Sequence, residues 1–106
     1  FGTRLIVVMG HSNCGAVQAA INNLHDPTPA LSFSIKTILD KITDSVKNYS
    51  TKPESVSISN AVRANISESV NNLRQGSEII KNYIKNERLQ ILGAEYSLES
   101  GKVEFF

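Results

Sequence analysis

A histidine and a cysteine three positions apart, in Gly10-His11-Ser12-Asn13-Cys14-Gly15, are the residues of this chain best suited to chemistry. An imidazole nitrogen and a thiolate sulfur together suit Zn²⁺, which takes four ligands in a tetrahedron. The pair supplies half of such a site, and Cys14 is the only cysteine among the 106 residues. A plainer reading is a small thiol that closes a turn beside a histidine bonded to backbone. A third is a covalent nucleophile at Cys14. The other histidine, His25, lies beyond the next helix beside Asp26-Pro27 and reads as a solvated loop residue.

The neighbouring elements decide where such a pair would sit. Residues 4 to 9 form a run rich in β-branched apolar residues, the pattern of a parallel strand covered on both faces, and Gly10 breaks it. From Cys14 onward the period changes. Val17, Ala20, Ile21 and Leu24 fall on one helical face, Ser12 or Asn13 is positioned to cap it, and Pro27 and Pro29 end it in a loop over residues 25 to 30. Binding sites of open α/β sheets lie at the carboxyl ends of parallel strands, which is where this turn falls. At a helix N-terminus, free N–H groups and the helix dipole favour negative charge on Cys14.

Two other motifs are excluded. A nucleophile elbow needs glycine where Cys14 stands, and no phosphate-binding glycine spacing or following Lys-Ser/Thr is present.

A second amphipathic helix is written by Leu31, Ile35, Ile38, Leu39, Ile42, Val46 and Tyr49, and the Ser/Thr-rich stretch from Tyr49 to Ser57, with Pro53, is a surface connection. Ile58, Val62, Ile66, Val70 and Leu73 write a third helix that stops near Gly76. Ser77 caps a short fourth helix carrying Ile79, Ile80, Tyr83 and Ile84. The chain returns to strand from Leu89 towards Tyr96, turns at Glu99-Ser100-Gly101-Lys102, and ends in an antiparallel strand over 103 to 106. The expected fold class is α/β: parallel strands joined by a long right-handed helical crossover, with a C-terminal antiparallel strand, in a single domain spanning 1–106.

Bulk properties narrow the function. A 41% hydrophobic content supports a modest core, and a net charge of +1 with mixed signs points away from a nucleic-acid stripe. No apolar run approaches the roughly 18 residues of a membrane span, and no signal-peptide pattern opens the chain. A lone cysteine forbids an internal disulfide, so a reducing, cytoplasmic compartment is the expectation. The chain opens on Phe1-Gly2-Thr3 without an initiator methionine and reads as a processed product or a piece of a longer polypeptide.

With the strand, Gly-His-Ser-Asn-Cys-Gly and helix in place, the chain resembles a β-class carbonic anhydrase. The resemblance continues in Asn65-Ile66 and Asn72-Leu73-Arg74, in Leu89 to Tyr96, and in Glu99-Ser100-Gly101-Lys102-Val103. Ser97 and Ser100 stand where that family usually has Asp and Thr. Residues 1 to 24 and 58 to 106 carry the likeness, while about 31 to 57 match only as helix and loop.

The resemblance implies a zinc-dependent lyase that hydrates CO₂ to bicarbonate. His11 and Cys14 would be metal ligands, and the Gly15 backbone N–H a donor to bound bicarbonate; no side chain is assigned as catalytic. The family's Cys-x-Asp-x-Arg, which supplies the remaining ligands, is not among these residues. The chain therefore resembles the C-terminal part of a catalytic domain, expected to be inactive or weakly active alone. Without a neighbouring strand, Leu5–Met9 would be an exposed edge, so a homo-oligomer, dimer or larger, is expected. The alternative is a carbonic-anhydrase-like module that serves assembly or regulation without catalysis.

Overall fold

The computed structural model describes residues 2–27 and 31–106. Its elements run β1 (Leu5–His11), α1 (Gly15–His25), α2 (Phe33–Tyr49), a 3₁₀ turn (Pro53–Ser55), α3 (Ile58–Gly76), α4 (Glu78–Asn86), β2 (Gln90–Tyr96) and β3 (Val103–Phe105). β1 and β2 pair in parallel, with Leu5 opposite Gln90 and His11 opposite Tyr96, and β3 pairs antiparallel with β2. The strand order β1-β2-β3 makes β1 an edge of the sheet. The fold is the expected α/β arrangement of a parallel pair, a helical crossover and a closing antiparallel strand. The chain divides into two compact units, one built from the segment ending at His11 together with Ile66–Phe106, the other from Ser12–Asn65.

The first unit is a sheet with helices on one face. Val70, Leu89 and Ile91 are buried together, and Ile6, Val8, Leu73, Ile80 and Ile84 pack against them. Each such side chain contributes about 1.5–3 kcal/mol when fully buried. The strand period of two puts Ile6 and Val8 on the packed face and Leu5, Val7 and Met9 on the other. Those three remain 51%, 36% and 52% exposed. β1 is thus not covered on both faces, as its uninterrupted apolar run suggested. The helices of its unit pack against the Ile6 and Val8 face alone.

Gly10 does not end the strand either. The ladder continues through Gly10 opposite Glu95 to His11, because glycine keeps both backbone hydrogen-bonding groups. At the far end, Ser97 N–H donates to the Lys102 carbonyl at 2.8 Å and Gly101, at φ 72°, donates to the Ser97 carbonyl at 2.8 Å. The Ser97 hydroxyl accepts the Ser100 N–H at 3.2 Å. A short polar side chain is all this turn asks for, and serine fills the place where the resemblance led one to look for aspartate. Gly93 lies against this end of the core. A Cβ there would come within 3.0 Å of Ile66 Cγ2 and 3.3 Å of Phe106, so the sheet and α3 approach closely at that point.

The second unit is helical. Val17, Ala20 and Ile21 of α1 are buried, as their spacing predicts, and so are Leu39, Ile42 and Val46 of α2. Ser32 caps α2 by accepting the Ile35 N–H at 3.4 Å, so Leu31 lies just outside the helix. Ile35, Ile38 and Tyr49, assigned to the same apolar stripe by sequence, are about half exposed. The buried Ser45 hydroxyl donates to the Lys41 carbonyl at 3.1 Å and lies 3.3 Å from the Asn65 side-chain oxygen, which satisfies a polar group inside the bundle. α1 ends at His25, with the Asp26 N–H on the Asn22 carbonyl. His25 is therefore an exposed residue of the last helical turn rather than of a loop. Residues 28 to 30 of the loop expected there, Pro29 among them, lie outside the described residues.

Candidate metal site at the end of the first strand

His11 is the last residue of β1 and exposed, held in the ladder opposite Tyr96. The next two residues form the turn. Asn13 takes a left-handed conformation at φ 52°, which asparagine tolerates better than most residues. That places Cys14 in extended conformation as the residue capping α1, with its carbonyl accepting the Gln18 N–H at 3.0 Å. Neither Ser12 nor Asn13 caps the helix, because the left-handed residue moves the helix start beyond them. The Cys14 side chain makes no capping bond. It is half-buried and not in a disulfide.

Gly15 opens α1 and is exposed. An added Cβ there would meet no atom within 4 Å, so packing places no demand for glycine at this position. Its backbone N–H belongs to the first turn of the helix, where N–H groups lack intrahelical partners.

His11 belongs to the sheet unit and Cys14 to the helical unit. Chain connectivity alone keeps their Cα atoms within about 11 Å, since three residues span at most ~3.6 Å each. The donor types fit zinc: one imidazole, one thiol. Their number does not complete it, because among the described residues no group of three or more His, Cys, Asp or Glu side chains comes together to hold a metal. Among the described residues no helix is long and apolar enough to cross a membrane.

Known proteins agree with this architecture. The family model described as carbonic anhydrase matches residues 1–103. A carbonic anhydrase of Mycolicibacterium smegmatis is 29% identical over 100 residues, covering 94% of this chain and 48% of the relative. Among solved structures, a tetrameric β-carbonic anhydrase from the filamentous ascomycete Sordaria macrospora superposes with a TM-score of 0.79 at 17% identity, over 97% of this chain and 52% of that one. The Coccomyxa β-carbonic anhydrase, solved in complex with acetazolamide, gives 0.73 at 23% identity, over 95% of this chain and 46% of that one. The chain thus spans about half the length of the curated relative it matches. A family match over nearly all its residues, on a parallel strand that runs into His-x-x-Cys and a helix, makes this chain a member of the carbonic anhydrase family with the fold of the β class.

Proposed function

We propose that the chain contributes part of the active site of a zinc-dependent carbonic anhydrase, which interconverts CO₂ and bicarbonate. The observation that carries this reading is His11 closing a parallel strand and Cys14 opening the next helix, inside a chain of this family. His11 Nδ1 or Nε2 and Cys14 Sγ are the two ligands offered. When bound, zinc supplies the Lewis acidity that activates water at neutral pH. The Gly15 N–H, at the positive end of α1, is aimed by the helix start to hold an anionic product oxygen. Ser12 and Asn13 set the turn that spaces the two ligands.

Two donors bind zinc far more weakly than four, so the 106-residue chain alone is expected to show little or no CO₂ hydration. Adding a polypeptide that bears Cys-x-Asp-x-Arg is expected to restore it. Stopped-flow hydration assays with and without that segment test the reading. Robust turnover by the isolated chain overturns it.

Self-association belongs to the same proposal. β1 is an edge strand whose outer face presents Leu5, Val7 and Met9, and exposed apolar edges recruit partners. Sedimentation of the chain is expected to show dimers or larger species, and Val7→Lys, on the exposed face, to shift them towards monomer. A clean monomer at high concentration counts against it. The compartment proposed is the cytoplasm, consistent with a lone free cysteine.

A further inference from the structure

The geometry points to a second binding site, for a small organic monocarboxylate, in a pocket of the sheet unit formed by α3, β2 and Phe106. The pocket holds about 230 Å³ and is lined by Ser67, Val70, Asn71, Arg74, Gly93 and Phe106. All six residues belong to one unit, and none is a ligand of the metal site proposed above.

Its chemistry follows from the helix repeat. Ser67, Asn71 and Arg74 stand at i, i+4 and i+7 of α3, so a hydroxyl, a carboxamide and a guanidinium share one face. Arg74 carries the only charged side chain of the lining. Its Nη2 donates to the Ile91 carbonyl at 2.6 Å, which pins one corner of the guanidinium against β2. A guanidinium has five N–H donors, so this bond leaves others for a ligand and limits the rotation lost on binding. A carboxylate is the group that a guanidinium fork pairs with in two parallel bonds. The lining includes no Asp or Glu side chain to compete for it.

The remaining walls set the ligand's body. Val70 is buried, and the Phe106 ring lies over Gly93, where an added Cβ would fall 3.3 Å from the ring. Glycine at 93 is what lets the ring lie this close to the strand. An aromatic face and a branched aliphatic wall favour an apolar group, whereas one cation and two neutral donors favour a single negative charge. Inorganic phosphate brings charge without an apolar body, and a neutral amide brings the body without the charge. A benzoate-sized carboxylate brings both. The volume lies below the usual range for sites of drug-sized ligands, which fixes the class as small.

Amide chemical-shift titration of the full chain tests the proposal, with benzoate as the ligand and benzamide and inorganic phosphate as controls. Benzoate is expected to give saturable shifts at Asn71, Arg74 and Gly93, with benzamide and phosphate at least about tenfold weaker. Arg74→Gln is expected to weaken benzoate binding by about tenfold or more. Because that change also removes the bond to the Ile91 carbonyl, Asn71→Leu serves as a second variant. It keeps that bond, sits on an exposed helix position, and is expected to weaken binding several-fold. Equal shifts with benzamide, benzoate affinity unchanged in Asn71→Leu, or shifts scattered away from the pocket each overturn the proposal.

Discussion

Cys14→Ser is expected to remove the sulfur-to-metal charge-transfer bands of the cobalt-substituted protein and to lower zinc affinity by at least about a hundredfold. Changes to groups that merely orient a metal ligand already cost 10–100-fold, so loss of the ligand atom itself sets that as the floor. The measurement belongs in protein reconstituted with the Cys-x-Asp-x-Arg segment, where the four-ligand set can close. His11→Ala is expected to weaken zinc comparably while leaving a sulfur charge-transfer band. The two variants therefore separate a ligand pair from a lone reactive thiol. A further reading comes from alkylation. Cys14 is half-buried and heads a helix, and zinc coordination is expected to slow its reaction with iodoacetamide, whereas a nucleophilic cysteine reacts equally fast with or without metal. Retention of the bands in Cys14→Ser removes the sulfur from the site and with it the proposed ligand pair.

The strand and helix that flank the proposed ligand pair could be read from sequence because the local code is strong here. A β-branched run, a turn and a 3.6-residue period follow one another within some twenty residues, and a strand and a helix formed there, with the strand running past Gly10 to His11. The fourth helix was equally plain, since Ser77 is followed by apolar residues at helical spacing and its hydroxyl accepts the Ile80 N–H at 3.4 Å. What the pattern did not carry was tertiary. Leu5, Val7 and Met9 are as apolar as Ile6 and Val8, so nothing in the run itself told the packed face from the open one. Nor did Asn13 announce its left-handed backbone, and the helix cap moved to Cys14 in consequence. The Arg74 bond to the Ile91 carbonyl spans 17 positions. The only advance sign of that site was a row of polar residues, Ser67, Asn71 and Arg74, running beside the apolar stripe of α3. Rows of that kind are ordinarily just the solvated face of a helix.

Ile91→Ala is expected to lower the unfolding free energy by about 2–5 kcal/mol, the usual cost of emptying a core isoleucine. Ile91 is 2% exposed and sits between Val70 and Leu89, with Ile6 opposite it in the parallel ladder. Against a total stability of about 5–15 kcal/mol for a domain, the loss is a large fraction. In urea, with a slope of about 1–3 kcal/mol per molar, it is expected to move the midpoint down by about 0.7 M or more. Leu5→Ala, compared in the monomeric Val7→Lys background so that self-association does not enter, is the control. It removes a side chain of similar size from the same sheet, but from the exposed face, and is expected to cost less than about 0.5 kcal/mol. Equal losses at the two positions contradict the assignment of the packed face. The consequence reaches the proposed site, because His11 stands at the last rung of the β1–β2 ladder, opposite Tyr96. Weakening the packing of β2 loosens the strand that ends in this proposed ligand, so Ile91→Ala is expected to reduce zinc affinity in the reconstituted protein as well, with Leu5→Ala leaving it unchanged.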